Sequence, residues 1–284
     1  MAAEAAQKRH ERALEREQRY ERTAQEVDAI WTAATAIQAH PYLADKGVQS
    51  HGLRQGSDGQ TITVQDRDGS DREVSVAGRL LVPIADANGR MTSLQFIDTT
   101  SSKMFMPNGR VEGGHFVIGD PRQPGPLLVA EGYATAATLH ELTGMPAVVA
   151  FNAGNLMPVA KTFRQLDQNR PIYIAGDNDH LREADGKPNV GRERAAQAAA
   201  AISGFVLLPY FADRDAGTDW NDLAWGQGRE AMRQQLMGAI AIAEREQIVQ
   251  GYVATRGMEQ DLGRSRVPDH SLSPERTPEV ELGR

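Results

Sequence analysis

Four short apolar runs, over 127–130, 147–151, 172–175 and 205–208, punctuate the second half of the chain, and segments of helical character near 134–143, 156–168, 191–203 and 228–246 lie around them. Strands that are apolar at every position are strands buried on both faces. Their alternation with helices predicts a mostly parallel sheet flanked by helices. Upstream the pattern differs. Residues 61–65 alternate in strand fashion, Asp66-Arg-Asp-Gly-Ser-Asp71 supplies turn residues, and 73–76 alternates again. Residues 79–84 and 92–97 flank Asn88-Gly89 and predict a hairpin, and 103–106 and 115–118 read as further short strands. This part is a small β-rich α+β unit ending near Gly119, before the proline-rich break from Asp120 to Pro126.

The start of the chain reads as one long helix from residue 4 to about 38, dense in Glu, Arg, Gln and Ala. Its surface mixes charge signs, as in Arg12/Arg16 and Glu15/Arg19, while Leu14, Val27, Ile30, Trp31 and Ile37 cluster late. A solvated first half and a docked second half follow, in a connector or partner-binding helix. His40-Pro41 stops it, because a residue before proline avoids helical geometry, and a short helical turn then runs to Gly47. Beyond Gly251 the chain is rich in Arg, Ser, Pro and Glu and is expected to be disordered. The expected organisation is 1–39, a charged helix; 40–120, the β-rich unit; 121–250, the parallel α/β domain; and 251–284, a tail.

An apolar fraction of 40% in 284 residues supports a proper core. The chain has no cysteine, which excludes disulfides and thiolate zinc sites. No apolar run approaches the ~18 residues that span a bilayer, so no membrane partner is expected. Met1-Ala-Ala-Glu runs straight into charge, and a cytoplasmic location is the simple expectation. The formal net charge of −7 weakens a nucleic-acid reading without removing it, because a basic groove is built locally.

The chemistry is concentrated where apolar runs end in acid. Leu127-Leu-Val-Ala-Glu131-Gly-Tyr133 and Ile172-Tyr-Ile-Ala-Gly-Asp177-Asn-Asp179 place carboxylates at the carboxyl edge of a buried sheet, where open α/β folds bind ligands. Thr218-Asp219-Trp-Asn-Asp222 adds a third acidic site. Crowded carboxylates repel unless they share a cation, and all-oxygen ligation suits Mg²⁺ or Mn²⁺. Each site also has a structural reading. Glu131 is a helix N-terminal acid, Asp177-Asn178-Asp179 a turn, and Asp219 a helix cap. The chain contains no phosphate-loop motif, no His-Glu-x-x-His and no Gly-x-Ser-x-Gly elbow. Tyr133 is expected to pack beside the sheet rather than act as a nucleophile.

Together Glu131-Gly132-Tyr133, Asp177-Asn178-Asp179 and Asp219-Trp-Asn-Asp222 resemble the Toprim domain of DNA primases, most closely the plasmid conjugative and phage type within the bacterial replicative primase superfamily. Upstream, Arg79-Leu-Leu-Val-Pro-Ile-Ala-Asp-Ala-Asn-Gly-Arg90, Ser93-Leu-Gln-Phe-Ile97 and Lys103-Met-Phe105 are similar to the subdomain preceding Toprim in those enzymes. Tyr42-Leu-Ala-Asp-Lys-Gly47 resembles the helix that leads into it. The resemblance implies Glu131 as the catalytic acid/base or metal-linked acid, Asp177 and Asp179 as metal ligands, and Asp219 in support. Lys103, with Arg79 or Arg90, would meet nucleotide or template. Two departures stand out: Thr135 occupies a position where replicative primases often carry a further Asp, and a cysteine-rich zinc module is missing.

The implied activity is primer synthesis on single-stranded DNA from nucleoside triphosphates, with Mg²⁺ or Mn²⁺. A helicase, a relaxase or another plasmid or phage replication protein would be the recruiting partner. Two rival readings use the same residues: a metal-dependent nuclease, and a non-catalytic nucleic-acid or protein-binding module whose acids serve as caps and turns.

Overall fold

The long N-terminal helix α1 (Ala2–Ala33) docks only through its second half. Ala24, Val27, Ile30 and Ala34 are buried, whereas Leu14 is half exposed. Val27, Ile30 and Ala34 join Ile62, Val74, Val76, Leu81, Leu94, Phe96 and Met106 in one apolar cluster. The structure is a computed structural model, and it describes residues 1–37, 39–212 and 215–245. The tail expected over 251–284 lies outside these residues. Residues 1–239 form one compact unit.

The first helix ends at Ala33, short of the expected residue 38. Ala34 turns to an extended backbone, and strand β1 (Thr35–Ala36) pairs antiparallel with β2 (Arg54–Gln55). Arg54 donates 2.8 Å to the Trp31 carbonyl and sets its guanidinium 4.7 Å from the Trp31 ring centre. A helix-terminal carbonyl is thereby satisfied from outside, and strand pairing overrides local helical preference. Helix α2 (Pro41–Lys46) starts at His40, whose Nδ1 accepts from the Tyr42 N–H at 3.2 Å, and stops at Gly47 in the left-handed region.

The β-rich part comprises hairpin β3 (Thr61–Gln65) and β4 (Asp71–Ser75), then β5 (Leu80–Ala85), β6 (Met91–Ile97) and β7 (Lys103–Phe105). Its main sheet is antiparallel, in the order β1-β2-β5-β6-β7. The second sheet contains β8 (Phe116–Ile118), β9 (Leu127–Ala130), β10 (Ala147–Val149), β11 (Ile172–Ala175) and β12 (Phe205–Leu207), in the order β12-β11-β9-β10-β8. All of its pairings are parallel except β8 with β10. Residues 116–118 were expected to stay within the β-rich unit; instead they cover the free edge of β10. Ala85 and His115 exchange two backbone hydrogen bonds, of 3.0 and 2.9 Å, so the two sheets are directly linked.

After α2 come α3 (Tyr133–Thr143), α4 (Leu156–Leu166), α5 (His180–Ala184), α6 (Val190–Ala201) and α7 (Trp220–Gln227), and residues 229–245 are also helical. Leu127, Val129, Ile172 and Ile174 point to one face of the second sheet and pack with Leu156, Val159, Phe163, Ala195, Ala198 and Ile202 of the α4 and α6 region. The alternate residues Leu128, Ala130, Tyr173 and Ala175 are equally buried on the other face. Double burial is the reason these strands are apolar at every position. Among the described residues, no helix is long and apolar enough to cross a membrane.

Candidate active site

The strand order places β9 between β10 on one side and β11 on the other, and such a switch point opens a crevice at the carboxyl ends of the strands. Ala130 lies opposite Ala175 in the β9–β11 register. Glu131 and Asp177 therefore leave adjacent strands within one residue of each other in level. Gly176 is required there, because a Cβ on it would stand 2.5 Å from the Ala195 Cβ. Gly191, at the start of α6, is similarly confined: its Cβ would fall 2.6 Å from the Asp177 carbonyl oxygen.

Asn178, between the two aspartates, acts as a clamp. Its N–H donates 2.6 Å to the Thr218 carbonyl, and its Nδ2 donates 2.9 Å to the Pro209 carbonyl. Asn189 donates to Asn178 Oδ1 at 2.8 Å and accepts from the Asp179 N–H at 3.1 Å. The β11 loop is thereby tied to the segment carrying Asp219. Asp219 caps α7 by accepting from the Asp222 N–H at 2.8 Å, so its structural role as a cap coexists with its place in the acidic cluster. Buried Asn221 fastens α7 by donating 2.7 Å to the Lys46 carbonyl and 2.8 Å to Thr138 Oγ1.

The electrostatics register how closely the acids face one another. Burial pushes the Glu131 carboxyl up to about 7, aided by the charges of Asp179 and Asp219 and opposed by the Ala153 N–H. Asp177 is pushed up to about 8 by burial and then by Glu131, Asp219, Asp179 and Asp222. Asp219 is raised as well, by burial and by Asp222, while Lys46 and backbone N–H groups work the other way. Glu131 Oε1 is buried without a hydrogen-bond partner. Among the described residues, no three His, Cys, Asp or Glu side chains converge as a ready ligand cage. An all-oxygen donor set whose carboxyl pKa values are raised by burial and by neighbouring acids, with an unpaired buried oxygen, fits a hard divalent cation.

Two lysines border this cluster. Lys103 opens β7 and lies 5.4 Å from the Tyr42 ring centre. Its ammonium pKa is lowered by desolvation and by Lys46, and raised by Asp219 and Asp177. Lys46 stands 3.6 Å from Asp222. The sequence reading missed Lys46 as a site residue; a lysine before a helix-stopping glycine looks like an ordinary C-terminal cation. Arg79 sits at the Lys103 end of the first sheet, given the Leu80–Ile97–Lys103 register, and is occupied by Asp98 at 3.7 Å and the Ser75 carbonyl at 2.9 Å. Arg90 belongs to the turn at the opposite end and pairs with Glu21 of α1 at 2.7 Å. The structure thus brings Glu131, Asp177, Asp179, Asp219 and Lys103 together, and leaves Arg90 outside that group. Thr135 is buried on the first turn of α3, and Tyr133 packs beside the sheet, donating 2.7 Å to the Gln49 carbonyl.

Comparison with known proteins agrees with this architecture. The sequence model of the Toprim domain family matches residues 126–230. Two DNA primases named TraC, both from Escherichia coli, are 36% identical to the chain over 217 residues, 75% of its length. Those matches span only 19% and 14% of the TraC chains, so the chain covers less than a fifth of either relative. Among solved structures, the DnaG primase catalytic domain bound to single-stranded DNA superposes with a TM-score of 0.52 at 15% identity, over 80% of this chain and 83% of that one. The acid-edged parallel sheet of this chain thus lies largely within a segment, residues 126–230, that matches the Toprim domain family, in a chain similar to the TraC DNA primases.

Proposed function

We propose that the chain is a DNA primase core that joins nucleotides into short oligonucleotides on a single-stranded DNA template, using Mg²⁺ or Mn²⁺. The observation that carries this reading is the set of carboxylates facing one another across the β9–β11 crevice, bordered by Lys46 and Lys103. Asp177, Asp179 and Asp219 would hold the cation. When bound, it would neutralise phosphate charge and acidify a 3′-hydroxyl. Glu131, held near neutrality, is suited to receive that hydroxyl proton, because general bases work best with a pKa close to the ambient pH. Lys103 and Lys46 supply positive charge for triphosphate or template phosphates, with Arg79 on the same side and Arg90 at the periphery.

The likeness to the TraC primases and to a primase domain solved with single-stranded DNA supports a nucleotidyltransferase rather than a nuclease. A cytoplasmic plasmid-replication role beside a helicase or relaxase belongs to the same proposal, as does the organisation into 1–39, 40–120, 121–250 and 251–284, with strand β8 passing from the second of these segments to the sheet of the third. The test is primer synthesis on mixed-sequence single-stranded DNA with labelled nucleotides and Mg²⁺ or Mn²⁺. Glu131→Gln and Asp177→Asn should each lower product by roughly 100-fold or more. Template cleavage lost in the same variants would make the chain a nuclease, and unchanged synthesis would remove these carboxylates from the chemistry.

A further inference from the structure

Trp225 is 61% exposed, in contrast to Trp220 on the same helix, which is fully buried. Its indole rests against the left-handed turn at Gly47: a methyl group placed on Gly47 would stand 3.4 Å from Trp225 Cζ2, at van der Waals contact. The ring borders a hollow of about 310 Å³ whose other walls include Lys46, Asn221, Ala224 and Arg229. Asp222 and Trp225 are three apart on α7 and share a face of the helix, so the hollow begins one turn beyond the acid that Lys46 contacts at 3.6 Å.

Both cations retain donors for an anion. Lys46 has three ammonium hydrogens and faces Asp222. Arg229 has five and spends bonds on Glu141 at 3.0 Å and the Gly47 carbonyl at 3.2 Å. An exposed aromatic face flanked by cations is the combination with which proteins hold a nucleobase and its phosphate. An indole is indifferent to base identity, so such a platform orients a strand without selecting its sequence.

We infer that Trp225, with Lys46 and Arg229, forms a nucleobase-stacking subsite contiguous with the acidic cluster, and that its occupant is a base of the single-stranded DNA. The role assigned to this subsite rests on the primase reading, whereas its existence is tested without catalysis. The probe is a fluorescein-labelled oligodeoxythymidylate, titrated by anisotropy in EDTA with no nucleotide present, against wild type, Trp225→Ala and Trp225→Phe. Trp225→Ala should bind at least about fivefold more weakly, while Trp225→Phe, which keeps an aromatic face, stays within about twofold of wild type.

A second arm titrates ATP and follows the emission lost in Trp225→Phe. Quenching by the oligonucleotide alone identifies the occupant as the DNA strand. Quenching by ATP alone overturns that assignment in favour of the incoming nucleotide. Equal affinity of wild type and Trp225→Ala for both probes overturns the subsite and turns Trp225 into a surface for protein contact. A chain that makes no primer yet loses oligonucleotide affinity in Trp225→Ala keeps the platform and refutes the synthesis reading; one that makes primer and ignores the substitution does the reverse.

Discussion

The raised pKa values of Glu131 and Asp177 imply that the metal-free protein is held below its attainable stability at neutral pH. Asp177 titrates from an ordinary value of 3.8 to about 8 in the folded chain, and Glu131 from 4.5 to about 7. A carboxyl whose folded pKa is raised binds protons in the folded state that the unfolded state has already lost. Stability therefore falls as pH climbs from the unfolded value to the folded one. Each full proton of difference contributes about 1.4 kcal/mol per pH unit.

The Glu131 charge helps to raise Asp177, so the two titrations are coupled, and the pair is best treated as one shared proton. From pH 5 to pH 7 the loss is then ~3 kcal/mol, or roughly 6–12 °C in melting temperature for a chain of this size. The assay is a thermal melt in EDTA across pH 5–8, comparing wild type with Asp177→Asn. The variant should become progressively more stable than wild type as pH rises, and Mg²⁺ at pH 8 should recover stability in wild type but much less in the variant. A gap between the two proteins that stays constant with pH would refute the argument, whatever the absolute slopes.

Three further outcomes are expected. Asn155→Ala should destabilise by about 2–4 kcal/mol in urea melts, because Nδ2 of the buried amide serves the carbonyls of Val111, Gly114 and Ala150 while its Oδ1 accepts from the Gly113 N–H. Gly191→Ala should cost about 1–3 kcal/mol and weaken Mg²⁺ binding by calorimetry, since the new methyl meets the Asp177 backbone; normal Mg²⁺ affinity would show that the loop yields freely. Lys46→Ala removes a charge that lowers the Asp219 pKa, so the acid limb of the primer-synthesis pH profile should move to higher pH and return with Lys46→Arg. An unmoved limb would take Lys46 out of the electrostatics of the site.

The parallel strands were legible because burial on both faces demands an apolar residue at every position, as in Ile172-Tyr-Ile-Ala175. Strands of two residues such as β1 and β2 carry no period, and the place where α1 ends depends on Arg54, which lies beyond the helix in sequence. β8 was readable as a strand, but its partner was not: three apolar residues fit either sheet, and its pairing with β10 is a matter of topology. The acids at strand ends stood out because polarity changes abruptly there. Lys46 did not, because only the packing of α2 against α7 brings it to Asp222. Asn178 read as a turn former between two aspartates, whereas its amide and backbone knit the Thr218, Pro209 and Asn189 segments together. The partners of Arg79 and Arg90, Asp98 and Glu21, were equally hidden, since ion pairs between distant segments follow no period.

The link between Ala85 and His115, and the strand that follows it, bear on how this protein can be cut. A fragment beginning at residue 126, where the Toprim match starts, would keep β9 to β12 but strip β10 of its outer neighbour. Ala147, Val148 and Val149 would then present bare N–H and C=O groups along an apolar ribbon, a template for edge-to-edge association of one copy with the next. Beginning instead upstream of Phe116 keeps that edge closed, so the solubility of excised pieces should change sharply across about ten residues.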